Sequence, residues 1–200
     1  MKVDCLPIGL YEENSYVLHD KDHVLFIDPG RYAERIAKCV SPKETVDGII
    51  LTHGHEDHTA AADDLADLFG CDVYMSFEDS YLTDPKHNLR GGYGAPVYHE
   101  IKDLRGTMEI GSFKVEVIAT PGHTSGSVCV RYRSVLFTGD TLFCGSIGRT
   151  DLYSGNEEEM IDSLRLLAKL PGDLKIYPGH GPDSTIAQEK MFNPYLAYLG

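Results

Sequence analysis

The chain has 200 residues, 42% hydrophobic and 24% charged, which is typical of one globular domain with a sizeable core. Its formal net charge of −13 argues against nucleic acid as a general partner, because phosphate neutralisation needs clustered Lys and Arg. There is no apolar N-terminal signal, no run near the about 18 apolar residues of a membrane span, and no regular Cys spacing, so we expect a single domain (1–200) in the cytoplasm with no membrane partner.

The first half of the sequence predicts short strands and helices separated by polar turns. In chain order we expect hairpin strands over 14–19 and 23–27, a helix over 33–40, a buried strand over 46–51, a helix over 59–69 that ends at Gly70, and a strand over 71–75. Residues 85–96 are rich in Gly and Pro without periodicity, which indicates a loop and a candidate lid. His87 and Tyr93 in this loop are candidate substrate contacts, although solvent exposure is the commoner fate of a loop His.

The second half continues in the same way. We expect strands over 113–118, 128–133 and 134–138, a helix that follows the cap Asn156 and ends before Pro171, a strand over 175–177, and a last helix between Thr185 and Asn193. Strands repeatedly lead into Pro/Gly turns that present a His or an Asp: Asp28, His53, His123, Asp140 and His180. Side chains displayed at strand ends of a rigid scaffold are a common way to build a site.

Residues 52–59 contain three imidazoles and two carboxylates, Glu56 and Asp57, between a predicted strand and a predicted helix. Because side chains alternate along an extended segment, His53 and His55 point to the same side. Asp57 and His58, at the helix start, can point to a second, adjacent position. Zinc takes His nitrogen and carboxylate oxygen, so these residues are candidate metal ligands; a solvated, His-rich turn is the alternative.

Seven candidate ligands emerge when the other turns are included. They are His53, His55, Asp57, His58, His123, Asp140 and His180. Seven ligands are too many for one tetrahedral ion and suit two ions that share a carboxylate. Such a pair can hold a bridging hydroxide as nucleophile and polarise a scissile carbonyl or phosphoryl oxygen. Asp28 either caps its turn or orients a metal-bound imidazole.

Four motifs together resemble those of the metallo-β-lactamase superfamily. They are Thr-His-Gly-His-Glu-Asp-His at 52–58, Thr-Pro-Gly-His-Thr-Ser-Gly-Ser at 120–127, Phe-Thr-Gly-Asp-Thr-Leu-Phe at 137–143 and Pro-Gly-His-Gly-Pro at 178–182. The resemblance is closest to the short, single-domain glyoxalase II-like hydrolases and runs from about residue 14 to residue 195. It implies an α/β fold of the αββα type, a four-layer sandwich with the metal site at one edge of the paired sheets.

The resemblance also implies a role for each candidate residue. His53, His55 and His123 would hold the first metal, and Asp57, His58 and His180 the second. Asp140 would bridge the two ions, and Asp28 would support a metal ligand. The implied cofactors are two divalent ions, zinc first, with iron or manganese as alternatives.

The implied activity is hydrolysis of a thioester such as S-lactoylglutathione. A bridging hydroxide would attack the acyl carbon, and Asp57 would orient it. Glyoxalase II proper has an additional C-terminal helical domain that helps to hold glutathione, whereas this sequence stops at Gly200. The acyl and thiol parts of the substrate and the oligomeric state therefore stay open.

Other members of the superfamily fit the motifs less well. The true β-lactamases usually have Cys at the position of Asp140, the flavodiiron proteins have an acid at that of His55, and the tRNA-processing nucleases add a basic arm. The main alternative is a mononuclear Fe(II) dioxygenase of glutathione persulfide, which would need only His53, His55 and His123 or a variant of that set. A binding module without chemistry is disfavoured by the complete ligand set.

The Gly-Arg-Thr-Asp motif at 148–151 resembles a motif of the short glyoxalase II-like proteins and of the persulfide dioxygenases. Arg149 is a candidate contact for an anionic substrate carboxylate, because its planar fork suits that group. Pairing of Arg149 with Asp151 as a brace of the loop is the alternative.

Overall fold

Two six-stranded sheets face each other and carry helices on their outer surfaces. The structure is a computed structural model that describes residues 1–86 and 93–197. The strands in this part of the chain are β1 Lys2–Ile8, β2 Glu13–Asp20, β3 His23–Ile27, β4 Thr45–Ile50, β5 Val73–Met75, β6 Ile101–Asp103, β7 Gly106–Ile110, β8 Phe113–Ala119, β9 Val128–Tyr132, β10 Val135–Gly139, β11 Leu142–Phe143, β12 Ser146–Ile147, β13 Lys175–Pro178 and β14 Ser184–Thr185. The helices are α1 Ala33–Ala37, α2 Glu56–Thr59, α3 Ala62–Phe69, α4 Ser80–Thr83, α5 Glu157–Leu167, α6 Ile186–Phe192 and α7 Pro194–Ala197, with a 3₁₀ turn over Phe77–Asp79.

The first sheet has the order β1-β2-β3-β4-β5-β6. Strands β1 to β3 are antiparallel, and β3 to β6 are parallel to one another. Ile27 of β3 pairs with Ile50 of β4 in the parallel register. The carboxyl ends of these two strands therefore meet at one edge, where Asp28 and His53 follow.

The second sheet has the order β14-β13-β10-β9-β8-β7. Its strands are antiparallel except for β10 and β13, which run parallel with Gly139 opposite Pro178. The residues after these two strands, Asp140 and His180, consequently emerge side by side. Asn14 N donates a 2.7 Å hydrogen bond to Gly179 O, which joins this edge to the first sheet.

Three apolar clusters separate the four layers. The central cluster joins the two sheets through residues such as Tyr16, Ile27, Val115 and Phe137. A second cluster packs α1 and α3 on the first sheet, and a third packs α5, α6 and α7 on the second. Each fully buried Leu, Ile or Phe side chain stabilises such a layer by about 1.5–3 kcal/mol. The predicted αββα sandwich is confirmed.

The helix predicted over 59–69 is wrong in its extent, because α2 ends at Thr59 and a separate helix, α3, begins only at Ala62. The chain breaks near Ala61, whose N–H bonds to Pro29 O at 3.0 Å rather than to a helical carbonyl. Gly70 ends α3 as predicted, in the left-handed conformation. The break leaves α2 at the site edge, with Asp57 and His58 on it, while α3 packs on the sheet.

Further differences concern short elements with weak periodicity. Strands β1, β6, β7, β11, β12 and β14 and the 77–83 helical turns were not predicted, and the helix predicted over 33–40 ends at Ala37. The predicted caps Asn156 and Thr185 do accept backbone N–H groups of α5 and α6. His87 lies outside the described residues, as do 88–92, so the lid stays a prediction. Across the described residues no helix is long and apolar enough to cross a membrane.

Candidate metal centre

The first group of candidate ligands comes from two turns, one after β4 and one after β8. His53, His55 and His123 are buried, and one nitrogen of each lies within 4.8 Å of the other two. His55 Nδ1 is 2.9 Å from His123 Nε2. Burial, reinforced by the neighbouring imidazoles, lowers the pKa of His53 well below its usual value and that of His55 to about 3. These two imidazoles are therefore neutral, the state that binds a metal ion.

The second group comes from α2 and the turn after β13. Asp57, His58 and His180 again have ligand atoms within 4.8 Å of one another, and Asp57 Oδ2 lies 3.5 Å from His180 Nε2. Burial alone would lower the pKa of both imidazoles. Asp140 and Asp28 outweigh it and raise the pKa of His58, and Asp57 does so for His180.

Asp140 stands between the two groups. Its Oδ1 is 3.3 Å from His58 Nε2, and its Oδ2 is 3.5 Å from His123 Nε2 and 3.6 Å from His180 Nε2. Burial raises the pKa of a carboxyl group, but the three imidazoles outweigh it and hold the pKa of Asp140 well below its usual range. An ionised carboxylate whose oxygens lie close to imidazoles of both groups is suited to bridge two cations.

Three buried polar atoms at the centre make no hydrogen bond of good geometry among the described residues. They are His53 Nε2, His58 Nε2 and Asp140 Oδ1. Leaving a buried polar atom unsatisfied costs about 1–3 kcal/mol, so native proteins rarely retain such atoms without a use. All three belong to one group that can hold a cation. The donor set of imidazole nitrogens and carboxylate oxygens fits zinc, iron or manganese.

The outer nitrogens of the imidazoles are occupied, which fixes the direction of each ring. His58 Nδ1 donates to Asp28 Oδ2 at 3.0 Å, His123 Nδ1 to Arg149 O at 2.7 Å, and His180 Nδ1 to Tyr11 O at 3.0 Å. A hydrogen bond on one nitrogen leaves the lone pair of the other free for a metal ion. Asp28 thus lies where it can orient His58, the second of the two roles that the sequence left open.

Asn14 and Tyr16 of β2 hold the turn that carries His180, and sequence reasoning missed both. Asn14 Nδ2 donates to Pro178 O at 3.0 Å and to Gly181 O at 2.8 Å, and the Tyr16 hydroxyl donates to Pro178 O at 2.6 Å. A buried Asn within a strand is the signal that could have indicated a polar anchor. Asp79 was also missed; its buried carboxylate contacts both turns of the first group.

The two candidate substrate contacts differ in their surroundings. The Tyr93 ring is 5.8 Å from that of His55, and its carbonyl accepts a 2.5 Å hydrogen bond from Glu56 N. Arg149 donates two hydrogen bonds to Asp151, of 2.7 and 2.8 Å. Tyr93 therefore lies beside the first group, and Arg149 makes the pairing with Asp151 that the sequence offered as the alternative to a substrate contact.

Comparison with known proteins shows similarity along the whole chain. A family model described as the Metallo-beta-lactamase superfamily matches residues 8–180. The chain is 36% identical over 207 residues to the probable metallo-hydrolase YqgX of Bacillus subtilis, with 98% of each chain covered. It is 34% identical over 208 residues to the hydroxyacylglutathione hydrolase GloC of Haemophilus influenzae, again with 98% of each covered.

Solved structures show the same architecture. The crystal structure of BLEG-1 B3 metallo-beta-lactamase superposes with a TM-score of 0.88 and 35% identity, covering 98% of this chain and 99% of that one. TTHA1623 in a di-iron-bound form gives 0.84 and 29%, covering 96% and 100%. ETHE1 from Myxococcus xanthus gives 0.78 and 28%, covering 99% and 85%.

Proposed function

The chain belongs to the metallo-beta-lactamase superfamily. From that premise we propose that it hydrolyses thioesters with a pair of divalent metal ions, for which zinc is the preferred candidate. Members of this superfamily are typically metal-dependent hydrolases. The name of the relative GloC supports a hydroxyacyl thioester of glutathione, such as S-lactoylglutathione, as the substrate class. The proposal includes a cytoplasmic location and a small-molecule substrate rather than nucleic acid or membrane.

The observation that carries the proposal is the position of Asp140. Its two oxygens face different imidazoles, His58 on one side and His123 and His180 on the other. A site for one ion would not need a carboxylate aimed at both groups. In the proposed assignment, His53, His55 and His123 hold one ion, Asp57, His58 and His180 hold the other, and Asp140 bridges.

Divalent ions held in this way would supply the Lewis acidity that activates water and polarises a carbonyl oxygen. Asp57 is the proposed catalytic residue of the chain itself. Burial raises the pKa of its carboxyl group, but the hydrogen bond from His180 and the charge of His58 outweigh it, and the net shift is downward. The ionised carboxylate is partly exposed, so it can accept a hydrogen bond from the attacking water and aim it at the acyl carbon.

A mononuclear iron dioxygenase is the second candidate, because the first group of three imidazoles is complete without the second. The Gly-Arg-Thr-Asp motif at 148–151, which resembles a motif of the persulfide dioxygenases, favours this candidate. The backbone of Arg149 within that motif accepts the hydrogen bond of His123. The similarity to BLEG-1 makes β-lactam hydrolysis a third activity to measure.

The decisive experiment combines elemental analysis of the purified protein with assays on one preparation. We expect close to two metal ions per chain and hydrolysis of S-lactoylglutathione. Asp140→Asn should lose most of this hydrolysis, while Asp173→Asn, which changes an exposed acid elsewhere, should keep it. One iron per chain with oxygen consumption on glutathione persulfide would overturn the proposal in favour of the dioxygenase. Hydrolysis of a chromogenic cephalosporin without thioester turnover would overturn the substrate class alone.

A further inference from the structure

The carboxylate of Asp79 joins the two turns that carry the first group of ligands. Asp79 is 1% exposed and lies at the end of the 3₁₀ turn that follows β5. Its Oδ2 accepts hydrogen bonds from Gly54 N at 2.9 Å and from Thr124 Oγ1 at 2.7 Å. Its Oδ1 accepts one from Gly126 N at 2.7 Å. One side chain thus receives three donors from two separate turns.

The positions of these donors relate directly to the ligands. Gly54 is the residue between His53 and His55, and Thr124 immediately follows His123. The approach is close on both sides: a Cβ on Gly54 would lie 2.7 Å from Leu82 Cβ, and one on Gly126 would lie 2.5 Å from Asp79 Oδ1. The peptide between two ligands and the residue beside the third are therefore bound to the same carboxylate.

We propose that Asp79 is a positioning residue that sets the separation of the two turns and so preorganises the three imidazoles for the first metal ion. This inference rests on the proposed function, since it presumes that the three imidazoles hold a metal. A carboxylate is suited to this task because it only accepts hydrogen bonds and can take several at once. Bonds to an ionised acceptor are also shorter and stronger than neutral ones.

Burial of a carboxylate is unfavourable, so stability alone does not account for this residue. Burial raises the pKa of Asp79, and the donors from Thr124, Gly54 and Gly126 oppose that shift. A buried charge with its partners is often no more stabilising than a neutral group of the same size. A neutral Asn side chain could not hold the two turns in the same way, because its amide N–H group would point at one of the three donors.

The test compares Asp79→Asn with a matched change at Asp47. The Asp47 side chain is also buried, accepts a 2.6 Å hydrogen bond from Ser112 N and contacts His23, away from the metal centre. Stepwise competition with a chromophoric chelator gives the dissociation constants of the two zinc ions, and the visible spectrum of the Co(II) protein reports ligand geometry. Urea unfolding of the metal-free variants gives their stability.

We expect Asp79→Asn to raise the dissociation constant of the first metal ion about 10–100-fold, the usual effect of removing a residue that supports a ligand. The visible spectrum of the Co(II) protein should shift as well. In Asp79→Asn the dissociation constant of the second ion should change by less than about threefold, and Asp47→Asn should alter neither dissociation constant. Equal losses of stability in the two variants with unchanged metal affinities would overturn the inference. A wild-type protein that binds no metal would overturn the proposed function and this inference together.

A second pair of variants applies if Asp79→Asn does not fold. Thr124→Val removes one of the three donors. It should raise the dissociation constant of the first metal ion about fivefold, which corresponds to the loss of one hydrogen bond. Thr124→Ser keeps the hydroxyl and should restore the wild-type constant. Identical constants for the Val and Ser variants would count against the inference.

Discussion

Asp28 Oδ2 and His58 Nδ1 lie 3.0 Å apart although the two residues are thirty positions apart in the chain. Thr52 donates two further hydrogen bonds to the same carboxylate, each of 2.7 Å. Asp28 has a φ of 49°, in the left-handed region, and these donors hold it there. The carboxylate therefore fixes His58 with its Nε2 free toward Asp140.

Asp28→Asn should raise the dissociation constant of the second metal ion about 10–100-fold. Its amide would present a donor to His58 Nδ1, which favours the tautomer that carries its proton on Nε2 and cannot bind a cation through that atom. Chelator competition measures the constant. Asp22→Asn, an exposed change in the neighbouring hairpin turn, is the control and should leave it unchanged. Equal constants for wild type and Asp28→Asn would contradict this role.

Asn14→Asp should destabilise the protein by about 3 kcal/mol and weaken the binding of the second metal ion, which His180 is proposed to hold. The new carboxylate would face Pro178 O and Gly181 O without a hydrogen to donate. Urea unfolding measures the free energy. Tyr16→Phe removes one hydrogen bond to the same turn and should lose only about 1 kcal/mol. Similar losses for the two variants would argue against an anchoring role of Asn14.

Arg149→Ala should raise the KM for S-lactoylglutathione about tenfold and leave kcat nearly unchanged, if its guanidinium binds a substrate carboxylate. Asp151→Asn is the informative control, because Arg149 and Asp151 form a bidentate pair. If Arg149 contacts the substrate, Asp151→Asn should keep the wild-type KM. The same rise in both variants would show that the pair only braces its loop.

Asp20 predicts a pH dependence of stability away from the metal centre. The Tyr132 hydroxyl, together with Arg133 and the N-terminal ammonium group, outweighs burial and lowers the pKa of Asp20 from its ordinary 3.8. A lowered carboxyl pKa gives stability that is present above about pH 4 and is lost as the pH falls through the folded-state pKa. The interaction joins β2 to the turn between β9 and β10.

Asp20→Asn should therefore cost about 1 kcal/mol at pH 7, a value discounted because Arg133 is largely exposed, and less at pH 2. Urea unfolding of chelator-treated wild type and variant at both pH values measures the difference. Tyr132→Phe, which removes the first donor, should follow the same pattern. A cost that is the same at both pH values would rule out the charged interaction.

Much of the site could be predicted from the sequence because its candidate ligands lie in short local motifs. His53, His55, Asp57 and His58 fall within six residues, and their spacing alone indicates two directions of ligation. The strand-end turns before His123, Asp140 and His180 were likewise visible, since Pro and Gly mark turns by their backbone preferences. The αββα fold followed from the resemblance that these motifs carry.

The tertiary structure decided what depends on residues distant in the chain. Parallel pairing of β3 with β4 and of β10 with β13 brings the turns together, and sequence periodicity does not specify which strands pair. Asn14 and Asp79 contact partners 167 and 45 positions away, so the motifs around the candidate ligands do not include them. A hydrogen bond between distant residues requires both partners to be fixed by packing, which is why the motifs of the candidate ligands and Asp28 could be recognised in the sequence but Asn14 and Asp79 could not.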